Sequence, residues 1–60
     1  MQSIIDSLET DVVAIERNIC KLLKKKEVIG DVELLELLSQ AADDAHKLAS
    51  ILRDCAIAAE

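Results

Sequence analysis

The sequence predicts an all-α chain, an antiparallel two-helix hairpin that dimerises into a four-helix bundle. Three observations lead there. A single glycine, Gly30, stands at the midpoint of 60 residues that include no proline and no aromatic side chain. Apolar residues recur at helical spacing on both sides of it. The two halves also match in length, each long enough for a helix of roughly 27 residues and about 40 Å. The expected layout is one unit over residues 1–60, with helices at about 2–28 and 32–59 and a turn at about 29–31.

The first helix is read from Met1, Ile5, Leu8, Val12, Ile15, Ile19 and Leu22, which alternate steps of four and three. That is the seam an α-helix presents to a packed neighbour. Leu34, Leu38, Ala41, Ala45, Leu48, Leu52, Cys55 and Ala59 define the second helix in the same way. Folding the chain back at Gly30 brings together positions whose numbers add to 60, so Leu22 faces Leu38, Ile15 faces Ala45, Val12 faces Leu48 and Ile5 faces Cys55. Lys26 opposite Leu34 is the one layer that is not apolar on both sides. There the lysine methylenes can lie on the leucine while the ammonium stays in water.

At the turn, Gly30 is expected to take the left-handed conformation that ends a helix, and Asp31 to cap the next helix through its carboxylate. Lys21, Lys24, Lys25 and Lys26 close the first helix, and Asp31, Glu33 and Glu36 open the second. Each group complements its helix dipole and attracts the other.

Two helices cannot hide all of this apolar surface from each other. Ile4, Val13, Cys20 and Leu23 flank the first seam, and Leu35, Ala42, Ala49 and Ala56 add a stripe beside the second. A second copy forming a twofold four-helix bundle would cover them, as would a helical partner protein. The expected interface comprises Ile5, Leu8, Val12, Ile15, Ile19 and Leu22 on the first helix. On the second it comprises Leu35, Leu38, Ala42, Ala45, Leu48, Ala49 and Leu52.

Composition narrows the partners. Twelve acidic residues against seven basic ones give a formal charge of −5, which disfavours nucleic acid. Without Phe, Tyr or Trp there is no base stacking and no aromatic anchor for a tight transient interface. No run of 18 apolar residues and no basic amphipathic face points to a membrane. The opening Met1-Gln2-Ser3-Ile4-Ile5-Asp6 lacks the positive region of a secretory signal, and the chain is expected in the cytoplasm. Cys55 is placed in the seam as a small hydrophobe, and Cys20 about 22 Å along the bundle from it, too far for a bridge. Two free thiols suit a reducing compartment.

His46 is the one side chain suggestive of catalysis. Asp43 lies three positions before it, a spacing also found in di-metal helical bundles, but the register turns both residues outward and no metal ligand set forms. Ala45-His46-Lys47-Leu48 resembles the A-H-x-L core of histidine phosphotransfer domains, which implies an exposed imidazole that accepts a phosphoryl group. Ser39-Gln40-Ala41-Ala42-Asp43 resembles the S-Q-x-x-D signature of the small sporulation-type aspartyl-phosphate phosphatases. Those are helical hairpins of similar length, and the resemblance implies that Ser39 and Asp43 face a phosphorylated response regulator. The plain reading of both segments is a polar strip on a bundle surface.

The layout of nearly the whole chain also resembles the Rop family of plasmid copy-number regulators, which implies a hairpin dimer with large and small core layers. RNA binding does not carry over, because Asp6, Glu9, Asp11 and Glu16 occupy the first helix where that family has a basic face with an aromatic. Small helical secretion chaperones and scaffold subunits share the outline. No nucleophile and base pair, no phosphate-binding glycine loop and no zinc spacing is present, so neither a cofactor nor an enzyme activity is expected. The expected function is a self-associating protein interaction module, a regulator or an assembly subunit. The alternative is a phosphorelay component using Asp43 or His46, with Ser39 beside them.

Overall fold

The computed structural model describes residues 2–60 and is all-helical: α1 spans Gln2–Leu22, α2 spans Lys26–Ile29 and α3 spans Val32–Ala58. Met1, the first seam position named above, lies outside the described residues. The helices α1 and α3 pack along their length in a body of 45 × 14 × 10 Å. Two polar contacts join them, Glu9 to Arg53 at 3.0 Å and Glu16 to His46 at 3.3 Å, and a third links Gln2 to Glu60, two residues past the end of α3, at 3.4 Å. The numbers in each pair add to 62, a constant that only two helices running in opposite directions produce.

The first helix stops earlier than its periodicity suggests. Beyond Leu22 the amides of Lys24 and Lys25 bond three residues back, to the carbonyls of Lys21 and Leu22, which tightens the last turn. Lys25 is then extended, with φ −76° and ψ 140°, and its carbonyl starts α2 by accepting from the amides of Val28 and Ile29. Two physical causes favour the break. Lys21, Lys24 and Lys25 would be like charges at three- and four-residue spacing on a continuous helix. Continuation would also keep Lys26 in the seam and turn Val28 outward. The break reverses that assignment, leaving Lys26 exposed and Val28 buried.

Asp31 caps α3: its Oδ1 accepts the amide of Leu34 at 3.1 Å. Gly30 is not left-handed, contrary to the expectation above. Its φ of −77° and ψ of −6° are right-handed, and its amide donates to the carbonyl of Lys26 at 2.9 Å. The one-turn helix before it already bends the chain, so no reversal of handedness is needed at Gly30.

The contact between α1 and α3 is also rotated from the expected seam. Ala49 and Ala56 are the buried residues of α3, whereas Leu48 and Cys55, one position before each, are exposed. Leu35, Ala42, Ala49 and Ala56, expected to face away, instead turn towards α1 as a stripe of seven-residue spacing. Ile5, Val12, Val13 and Ile19 of α1 meet them, with Leu23 just past its end, all half-buried, and Leu38, Ala41, Ala45 and Leu52 complete the α3 side. The reason lies in side-chain size: two helices alone gain most dispersion contact where their backbones approach closest, and alanines permit that approach.

Candidate interaction surface

Two edges run along the helix pair, and their chemistry differs. Each follows from the inner row Ile5, Val12 and Ile19. Four residues on from Ile5 and Val12 stand Glu9 and Glu16, about 40° around one side of α1; three residues on from each member stand Leu8, Ile15 and Leu22, about 60° around the other. On α3, His46 and Arg53 flank Ala49 on one side, and Leu48 flanks it on the other.

Contacts across the pair fix which edges coincide. The Nε of Arg53 donates to Glu9 Oε2, and the Nδ1 of His46 lies 3.3 Å from Glu16 Oε2. The glutamates are tucked in, at 19% and 27% side-chain exposure, while Arg53 and His46 lie over them at 67% and 75%. Val13 and Ala49 floor the groove at His46, and Ser50 completes its rim. A second groove, lined by Thr10, Ala14 and Arg17, continues along the same side of α1. This edge is the polar one.

Because that contact joins the Glu9 side of α1 to the Arg53 side of α3, the opposite flanks share the other face. Leu8, Ile15 and Leu22 are 47%, 54% and 45% exposed there, at seven-residue spacing. From α3 come Leu34 and Leu48, both exposed, with half-buried Ala41 between them and exposed Cys55 beyond. Leu37 and Ile51 widen the strip, and Ile4 extends it towards the start of α1. An uninterrupted apolar row of this length is uncommon on a chain that stays alone.

The residues expected at an interface therefore divide. Ile5, Val12, Ile19, Leu35, Leu38, Ala42, Ala45, Ala49 and Leu52 lie in the contact between α1 and α3, half-buried or buried. Leu8, Ile15, Leu22 and Leu48 remain open to water. Ser39 and Asp43 are exposed, and with His46 they occupy the polar side of α3. Nothing in the seam pattern singled out Glu9, Glu16 and Arg53. A search for opposite charges at a constant sum would have found them.

Both cysteines are free and exposed. The placement of Cys55 in the seam is thus corrected, with Ala56 in its stead. Among the described residues, no group of three or more His, Cys, Asp or Glu side chains is arranged to hold a metal ion, and no helix is long and apolar enough to cross a membrane. The chain matches no protein-family model, no curated protein and no solved structure.

Proposed function

We propose that the chain is a helical hairpin that works as a protein interaction module, a regulator or assembly subunit, docking through the face that carries Leu8, Ile15, Leu22 and Leu48. The exposure of that row is the observation that supports it. Burying one leucine or isoleucine gains about 1.5–3 kcal/mol, and four in a line can hold a helical surface against the loss of freedom on association. Self-association and capture of a helical partner draw on the same face. The chain's two free thiols suit the reducing cytoplasm.

The test is an assembly assay on the affinity-tagged chain in its source cell. Complexes should survive Ala14→Asp, a change on the polar side, and be lost with Ile15→Asp. Assembly indifferent to Ile15→Asp would overturn the proposal.

A second reading attaches to His46. Its Nδ1 is turned towards Glu16, while its Nε2 has no hydrogen-bond partner among the described residues, and the exposed ring lines an open groove. A carboxylate behind an exposed imidazole orients the ring. In this reading Nε2 accepts a phosphoryl group, or Asp43 and Ser39 engage an aspartyl phosphate, as part of a phosphorelay. Incubation with phosphorylated response regulators should then yield a labile phosphohistidine or speed phosphate loss, and His46→Ala and Asp43→Ala should abolish the respective effect. If neither effect occurs, the second reading fails.

A further inference from the structure

We infer that the apolar face is closed by a second copy of this chain, giving a twofold four-helix bundle with Ile15 and Leu48 in its central layer. The inference rests on the interaction module proposed above and names its partner.

Size is the first argument. A face of 45 by 14 Å is about 600 Å² per copy, and two such faces reach the ~1,200 Å² at which specific interfaces begin.

Layering is the second. At the register of the cross-pair contacts, whose numbers add to 62, Leu8 comes within one residue of the level of Cys55, Ile15 of Leu48, and Leu22 of Ala41. One pair of large residues therefore sits in the middle, with a mixed pair on either side. A copy turned over about a twofold axis places its own Ile15 and Leu48 on the same central layer, whichever end it presents.

Charge at the rim is the third. Asp11 borders the face on α1, and Asp44 and Lys47 border it on α3. A copy laid α1 on α3 brings Lys47 within about 8 Å, along the bundle, of Asp11 of the other chain, whereas laid α3 on α3 it sets Lys47 beside the other Lys47. Rim charge therefore favours the orientation that lays α1 on α3. The opposite side of the pair carries the Glu9–Arg53 and Glu16–His46 contacts, and its exposed large apolar residues, Ile57 and Val32, lie only at the two ends. Association on one face alone closes at two.

Sedimentation equilibrium of the purified chain, free of other protein, tests this. The expected mass is twice 6.6 kDa at micromolar concentration. Ile15→Asp should shift the population to monomer, and Lys47→Glu should weaken the dimer about tenfold at low salt, an effect that shrinks as salt screens the rim. A folded wild-type monomer would overturn the second copy as occupant while leaving the face available to a different helical partner. A mass above two chains would overturn closure. A dimer indifferent to Lys47→Glu would remove the rim pairing.

Discussion

Arg53 and Glu9 stand 44 positions apart in the chain, and the Nε of one lies 3.0 Å from the Oε2 of the other. Glu9 is mostly covered and Arg53 mostly open, so the contact pins the rotation of α3 against α1 from the water side. With the two helices pinned there, the leucines on the opposite flank have no place in the helix pair.

The contact is partly exposed, and its worth is small. A double-mutant cycle with Glu9→Gln and Arg53→Gln, read by thermal melting at one fixed protein concentration, should give a coupling of roughly 0.2–1 kcal/mol that fades at high salt. A coupling unaffected by salt would show that the pair acts by packing.

Ile15→Asp and Ala14→Asp add the same charge one residue apart. Ile15 is on the apolar face and Ala14 beside the polar groove. Circular dichroism should show Ala14→Asp melting close to wild type. Ile15→Asp should lose the concentration dependence of its midpoint, because a carboxylate buried without a partner is strongly penalised in an assembly and tolerated in water. Equal melting of the two variants would mean that Ile15 meets no partner.

Val28 is buried at the turn end, although it belongs to a helix of four residues. Val28→Ala should destabilise by about 2 kcal/mol, through lost transfer energy and the cavity left behind. Ile29→Ala, at an exposed neighbour, should change the midpoint far less. A harmless Val28→Ala would mean that the bend at residues 23–25 contributes little to the fold.

Gly30 and Asp31 offer opposite outcomes. Gly30 has a negative φ, and an added Cβ would meet the Lys26 carbonyl at 3.3 Å, a contact that a shift of a few tenths of an ångström in the one-turn helix relieves. Gly30→Ala should therefore stabilise by about 0.5 kcal/mol, by restricting the unfolded chain. Asp31→Ala removes the cap on the Leu34 amide and should cost ~1 kcal/mol. Urea midpoints of the two variants should move in opposite directions; a large loss in Gly30→Ala would show that the turn needs glycine.

Helical character and the Asp31 cap were legible in the sequence, because each depends on local spacing and backbone chemistry. An apolar residue every third or fourth position states that a helix has a buried side. It does not state which neighbour buries it. Both Leu48 and Ala49 satisfy that pattern, and only the closeness of α1 chose Ala49, since an alanine brings two backbones nearer than a leucine can. The end of α1 was decided the same way: Lys26 and Val28 compete for one inward position, and the tertiary structure resolves it by breaking the helix at residues 23–25 so that the valine is buried and the lysine stays wet.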